Sequence, residues 1–224
     1  MLDVCDEPVL GALGGSVRRT TLDRGAWVDL RRSWLTGSGA VFERLSERAG
    51  LVPWRAEKRH MYDKVVAVPR LLCFYGEDAP LPDPVLTAAQ RALTAHYGPE
   101  LGEPFRTAGL CLYRDGRDSV AWHGDTIGRG KTEDTMVAIV SLGTPRPLLL
   151  RPVKGAGPGG TGGGSPPCTE EVGGGSRPLR FEVGHGDLLV MGGSCQRTWE
   201  HAVPKTSQPV GPRISVQFRP RGVR

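Results

Sequence analysis

Between residues 109 and 218 the chain breaks into short, largely apolar runs, separated by turns rich in Gly and Pro. No other feature narrows the possible folds as much. The runs lie at 109–113, 119–123, 136–142, 147–153, 179–183, 187–191, 199–203 and 213–218. Each has the length of a strand, and short strands at even spacing predict a sandwich or barrel. Eight of them predict a double-stranded β-helix, or jelly roll. One long interruption stands out: ten of the 22 residues in 155–176 are Gly, with Pro158, Pro166 and Pro167 among the rest. This stretch offers nothing to a core and is expected to be a flexible hairpin insertion. No Gly-Lys-Ser/Thr comes after it, which argues against a phosphate-cradling loop.

The first half reads differently. Residues 1–22 are expected to be loosely ordered, because Gly11, Gly14, Gly15 and Ser16 break any pattern. Residues 25–35 read as a short helix with Trp27, Leu30 and Trp34 on one face. Ser38 is a candidate cap for a second helix carrying Val41, Phe42, Leu45 and Ala49, with Gly50 as its stop. Asp83 or Pro84 opens a third, in which Val85, Leu86, Ala89, Leu93 and Tyr97 recur every three or four residues before Gly98. The expected fold class is therefore mainly β with flanking helices (α+β). A single domain would span 23–224, with helical support in 23–106 and the jelly-roll core in 107–224.

A length of 224 residues suits one domain with one sizeable core. No apolar run approaches the roughly 20 residues that cross a bilayer, and the first residues lack the basic start and apolar stretch of a signal peptide. Five Cys, an odd number irregularly spaced and without a Cys-x-x-Cys pair, argue for reduced thiols and against a structural zinc. A cytoplasmic monomer without membrane contact is expected. Net charge is +5, and after Glu200 no acidic residue occurs, while Lys205, Arg213, Arg219, Arg221 and Arg224 all lie in that stretch. A local basic excess favours a polyanion such as nucleic acid; a solvated basic face is the plain alternative.

Chemistry concentrates in YRDGRDSVAWHGD, residues 113–125. His123 and Asp125 stand two apart in an expected strand, so both point to one face and can reach one metal ion. A second His would complete a two-His, one-carboxylate triad, which leaves coordination positions open on an octahedral iron. The five His are at 60, 96, 123, 185 and 201. His201 is favoured because the strand RISVQFR lies just downstream of it, and in that strand Arg213 and Arg219 share the face opposite Ile214. Buried guanidinium groups need anions and fit carboxylates bidentately, so two of them beside an open metal site suggest a dicarboxylic co-substrate. The competing readings are a turn His bonded to its neighbouring Asp, a strand His packed behind Trp199, and ordinary edge-strand Arg. A second His-x-Asp, His185-Gly186-Asp187, lies in a Gly turn and reads as a turn.

Taken together, His123-x-Asp125, His201 and Arg213-x5-Arg219 resemble the AlkB family of iron(II)- and 2-oxoglutarate-dependent dioxygenases. Tyr113-x-x-Gly116, Val68-Pro69-Arg70 with Tyr75-Gly76, and 186–191 extend the resemblance over roughly 61–219. It implies iron(II) held by His123, Asp125 and His201, with 2-oxoglutarate and dioxygen as co-substrates. It also implies Arg213 on the distal carboxylate, Arg219 nearer the metal-chelating end, and Tyr113 donating its hydroxyl. The implied activity is oxidative dealkylation of N-alkylated bases in DNA, a direct repair reaction. RNA, a protein or a small molecule is the alternative substrate, and a non-catalytic metal or nucleic-acid binder the alternative class. A lid within 23–106 would then recognise the nucleotide, with Tyr62, Arg70, Phe74 and Tyr75, and Arg129 beyond the ligand strand, as substrate contacts. Two positions depart from the family pattern. Cys111 stands where many members carry Asn, and Ile127 stands where repair members often carry an acid, a role that Glu133 or Asp134 would have to fill.

Overall fold

In the computed structural model, residues 7–61, 64–126, 130, 132–153 and 177–223 are described, with the side chains of 59–61 and 64 left aside. Two antiparallel sheets face each other. The larger contains β2 (Arg18–Thr21), β3 (Ala26–Arg31), β5 (Arg55–Met61), β6 (Lys64–Tyr75), β7 (Thr107–Tyr113), β9 (Val137–Gly143), β12 (Leu188–Gly193) and β14 (Arg213–Arg219). Their order across the sheet is β2-β3-β12-β9-β14-β7-β6-β5. The smaller contains β8 (Val120–His123), β10 (Arg146–Pro152), β11 (Leu179–Val183) and β13 (Trp199–Val203), in the order β11-β10-β13-β8. A two-residue pair, β1 (Val9–Leu10) with β4 (Leu35–Thr36), closes the N-terminal end. The eight strands expected between 109 and 218 all form, to within about two residues at each end.

Strand alternation divides the core in two. On the outer face of the large sheet, Leu110, Leu112, Val140, Leu142, Ile214, Val216 and Phe218 pack against helices α1 (Ser38–Leu45) and α2 (Pro84–Leu101). Between the sheets, Val28, Tyr113, Ile139, Leu189 and Met191 meet Leu148, Leu150, Trp199 and Val203 of the small sheet. The helices thus buttress one side only and leave the space between the sheets to side chains from strands.

The N-terminal region departs from the sequence reading. Residues 9–21 contain β1 and β2, both paired, so the Gly-rich start marks turns rather than loose chain; Gly14, for example, has φ +61°. The helix expected over 25–35 is strand β3, lying between β2 and β12. Such a strand is covered on both faces, so it carries a near-continuous apolar run that also fits helical spacing. Trp27 stacks on Tyr97 of α2 at 6.1 Å, and Trp34, fully buried beyond the strand, donates from Nε1 to Gly11 O at 2.9 Å. The 23–106 region therefore holds four strands besides its helices. In α1 the cap position is Gly37 in a left-handed conformation, and Ser38 is already helical. In α2, Asp83 accepts from the Val85 N–H at 3.0 Å, and the helix runs three residues past Gly98 before Gly102 closes it. The insertion expected at 155–176 lies outside the described residues; the strands flanking it, β10 and β11, are antiparallel neighbours. Among the described residues no helix is long and apolar enough to cross a membrane.

One polar cluster ties α2 to the edge of the large sheet. Buried Asp29 accepts two bonds from Arg19, at 2.8 and 2.9 Å, and a third from the Tyr97 hydroxyl at 3.1 Å. Arg19 also lies 3.6 Å above the Trp27 ring. Asp29→Ala would strand a buried hydroxyl and release Arg19, costing about 2 to 3 kcal/mol. The melting temperature should drop by roughly 5–10 °C. Metal affinity should not change, because Asp29 faces α2 on the side of the large sheet away from the inner chamber. Differential scanning calorimetry with a parallel metal titration checks both parts.

Candidate metal and anion site

His123 ends β8 and His201 sits in β13, directly opposite it in the strand register. This pairing brings the two rings to 4.2 Å between centroids. Asp125 comes two residues after His123, and Gly124 between them allows the turn. A Cβ at Gly124 would collide with the Gln196 carbonyl, so the chain can pass α3 (Cys195–Thr198) here only without a side chain. The Asp125 N–H is held in turn by Gln196 Oε1 at 3.0 Å. One ligand atom from each of His123, Asp125 and His201 lies within 4.8 Å of the others. His123 Nδ1 lies 2.9 Å from Ala121 O; donating there, it leaves Nε2 free for a metal.

Electrostatics prepare the same set. Burial, reinforced by His123 and Arg219, pushes His201 down to about 3, so it stays a neutral ligand. Burial alone would raise the Asp125 carboxyl, but Arg219, His201 and His123 outweigh it and hold the group below the ordinary carboxylate range. Two imidazoles and one carboxylate, with a partly exposed side at His123, fit an octahedral iron(II) ion with open positions.

Behind the triad, the inner face of the large sheet is lined by basic groups. Residues 213, 215, 217 and 219 of β14 point inward together, beside 107, 109, 111 and 113 of β7. Arg219 donates from Nε to Asp125 Oδ2 at 3.0 Å, and its Nη2 lies 2.9 Å from the same oxygen as part of the ion pair. Its guanidinium uses the space left by Gly109, where a Cβ would come within 2.9 Å of Nη1. Arg213 is 2% exposed, gives Nε to Ser141 Oγ at 2.9 Å, lies 5.2 Å from the Tyr113 ring centre and leaves Nη1 with no hydrogen-bond partner among the described residues. Burial lowers its pKa without removing its charge. Tyr113 is pushed up by burial to about 12 and remains a neutral phenol. A buried guanidinium with an unused N–H beside a neutral hydroxyl is a receptor for a carboxylate. The donor set therefore fits a metal and a dicarboxylate side by side.

Other expected site residues fall in different places. Arg70 reaches the same inner chamber rather than an outer lid: Nη1 donates to Ser119 O at 3.0 Å, Nε has no partner, and Tyr113 and Cys111 are its electrostatic neighbours. Phe74 shares that face of β6 and is 46% exposed near the sheet edge. Tyr75 is a correction. Being one residue on, it points to the opposite face and packs among the outer core residues, away from the metal side. Tyr62 and Arg129 lie outside the described residues, as does Ile127. His185 faces away too, accepting from the Gly143 N–H at 2.7 Å, and lines a cavity of about 750 Å³ on the outer face with Phe42 and Leu112. That space is larger than the one beside the triad, but none of the triad residues borders it. A cavity of about 420 Å³ does border Asp125, lined also by Glu133, Thr135, Gln196 and Arg197. Among the described residues, Thr135 Oγ1 and Gln196 Nε2 are buried there without hydrogen-bond partners, while Asp134 is engaged by Arg197 at 2.7 Å.

Sequence reasoning missed several residues. Arg146, 2% exposed, donates to the carbonyls of Asp115, Asp118 and Pro204 and so pins the loop before the ligand strand. Ser141, Gln196 and Gln217 were also missed. Only the inward phase of their strands could have flagged Arg146, Ser141 and Gln217; nothing local marks Gln196.

Comparison with known proteins agrees with this geometry. Residues 68–219 match the model of the 2OG-Fe(II) oxygenase superfamily. Alpha-ketoglutarate-dependent dioxygenase alkB homolog 3 of Homo sapiens is 30% identical over 187 residues, covering 76% of this chain and 60% of the relative. The Bos taurus protein of the same name is 30% identical over 215 residues, covering 88% and 66%. DNA oxidative demethylase ALKBH2 of Arabidopsis thaliana is 34% identical over 122 residues, covering 53% and 38%. The chain thus spans about 60% of the length of the first of these relatives. Among solved structures, that of OsALKBH1 superposes with a TM-score of 0.56 at 13% identity, covering 91% of this chain and all of that one, a likeness of fold.

The triad has two testable consequences. His123→Ala, Asp125→Ala and His201→Ala should each lose high-affinity Mn(II) binding by calorimetry and stay folded, whereas His185→Ala should bind Mn(II) as the parent does. The metal-free protein should also lose stability on acidification. A free His takes up its proton near pH 6.5, but folded His201 does so only near 3, so between these values the unfolded chain binds more protons. Stability should fall by up to about 1.4 kcal/mol per pH unit across that window. The stability difference between the parent and His201→Ala should narrow as pH drops from 6.5 to 4; a constant difference would contradict the assignment.

Proposed function

The chain belongs to the 2-oxoglutarate- and iron(II)-dependent oxygenase superfamily and, within it, to the AlkB family, and from that footing we propose that it removes N-alkyl groups oxidatively from nucleic acid bases, in DNA first of all. One observation carries this reading. Two buried arginines stand beside a two-His, one-carboxylate set, one of them spent on the metal carboxylate and the other left with an unused N–H. A protein that merely held a metal or bound nucleic acid would have no use for Arg213 there.

Iron(II), 2-oxoglutarate and dioxygen supply the oxidation when bound: the oxoacid is decarboxylated to succinate, and an N-alkyl carbon is hydroxylated and leaves as an aldehyde. The protein's own part is positional. His123, Asp125 and His201 would hold the ion on one side and leave the other to ligands. Arg219 keeps Asp125 ionised and aimed. Arg213, oriented by Ser141, would take the distal carboxylate, with Tyr113 donating its hydroxyl to the same ligand. Arg70, by its place at the chamber wall, is better suited to the cosubstrate than to a base. Arg213 and Tyr113 are almost wholly buried, which strengthens these charged bonds.

The groups that face the metal side also support a nucleic acid substrate. Phe74 offers an exposed ring on the inner face for base stacking. The cavity beside Asp125 offers Thr135 and Gln196 with unspent polar atoms and Glu133 at its wall, which suits the polar edge of a base flipped out of its stack. The DNA assignment is supported by the name of the Arabidopsis thaliana relative. Coupled release of succinate and formaldehyde should be measured with methylated DNA and RNA oligonucleotides. DNA-dependent turnover is expected; turnover with RNA alone would move the substrate, and none with either would exclude base dealkylation.

Arg213→Ala provides the sharpest single substitution. A charge-assisted hydrogen bond contributes roughly 1.5 to 3 kcal/mol, so the apparent constant for 2-oxoglutarate should rise about tenfold or more. Oligonucleotide affinity should stay the same. If Arg213 instead served phosphate, salt-sensitive oligonucleotide binding would fall and the cosubstrate constant would not move.

A further inference from the structure

We propose that Gln217 is a positioning residue shared by both halves of the site: its amide oxygen anchors Arg219 against Asp125, and its amide nitrogen donates to the bound dicarboxylate. The inference rests on the proposed binding of the cosubstrate and extends it to a residue that neither the triad nor the arginine pair contains.

Arg219 fixes the orientation of the amide. Its Nη2 donates to Gln217 Oε1 while its Nε donates to Asp125 Oδ2. A guanidinium has donors only, so the group that Gln217 turns toward it must be the oxygen. That choice fixes the other end. Nε2 then lies 3.7 Å from Cys111 Sγ and 3.4 Å from Ser215 Oγ, both long contacts, the first to a weak acceptor. An NH2 group thus reaches the inner chamber with its donors poorly used.

Its location suits an anion. Gln217 lies on the inward face of β14, between Arg213 and Arg219, so a ligand bridging those two residues would pass over it. Its partner on β7 is Gly109, and on the other side Ile139, so no polar side chain opposite competes for the amide. Cys111, opposite Ser215, brings only a thiol to the chamber. Gln217 is itself only half-buried, whereas its neighbours Val216 and Phe218 are fully buried on the outer face. The carboxylate of the cosubstrate is the strong acceptor this donor lacks.

Two substitutions separate the two roles. Gln217→Glu keeps an oxygen for Arg219 and replaces the donor by an acceptor of the same shape. Gln217→Met keeps the length and removes both functions. Each protein is titrated anaerobically by calorimetry, first with Mn(II), then with 2-oxoglutarate on the Mn(II)-loaded form, after a thermal melt has verified folding. Gln217→Glu should bind Mn(II) like the parent and 2-oxoglutarate at least about tenfold more weakly, the loss of one hydrogen bond to a charged group. Gln217→Met should lose about tenfold in Mn(II) affinity as well, the usual effect of removing an outer-sphere partner. Parental 2-oxoglutarate affinity in Gln217→Glu would overturn the donor role, and parental Mn(II) affinity in Gln217→Met would overturn the anchor role. If the parent itself binds Mn(II) but no 2-oxoglutarate, the cosubstrate reading falls, and this inference with it.

Discussion

The ion pair between Arg219 and Asp125 governs the arrangement of the site. Both groups are buried, and a buried charge is tolerated only when it is paired and hydrogen-bonded. The pair ties the last strand of the large sheet to the turn after β8 of the small one, so it bridges the two layers at the metal position. It also holds Asp125 ionised, while burial keeps the adjacent His201 neutral. Gly109 and Gly124 are consequences of this pair. One leaves room for the guanidinium, and the other lets the carboxylate-bearing turn pass against Gln196.

The rest of the fold separates support from chemistry. Helices α1 and α2 cover the outer face of the large sheet and seal an apolar layer there. The inner face is left to strands, where alternation delivers a side chain every second residue at fixed height. That is why Arg213, Ser215, Gln217 and Arg219 form one row, and why Ser141 on the neighbouring strand can reach Arg213. Placing a site on strand interiors gives precision that loops would not. Arg146 extends the same economy to the loop before His123, whose carbonyls it gathers from its own strand in the small sheet.

Much of this was legible in the sequence because period two is a strong signal when one face is buried. The inward pairing of Arg213 with Arg219 came from it; the eight strands showed as short, largely apolar runs between Gly and Pro turns, whereas Asp125 reaches the ion through the turn at Gly124, because β8 ends at His123. Strand β3 was not legible: Trp27, Leu30 and Trp34 fit helical spacing, and only burial on both faces explains the run. Tyr75 was misplaced for a related reason. The resemblance grouped it with Arg70, while the phase of β6 decides that Arg70 faces the chamber and Tyr75 the outer core. Gln217 and Ser141 carry no motif at all; their roles exist only through neighbours on adjacent strands.

The central claim is that this chain holds a metal ion and a dicarboxylate against one another, the ion on His123, Asp125 and His201 and the acid on Arg213. A crystal structure with Mn(II) and the unreactive analogue N-oxalylglycine, with anomalous scattering recorded for manganese, tests it most directly. The account predicts one manganese peak among those three side chains, with the analogue chelating it and its far carboxylate on Arg213 Nη1. Manganese beside His185 and Asp187, or an analogue bound away from Arg213, would contradict it.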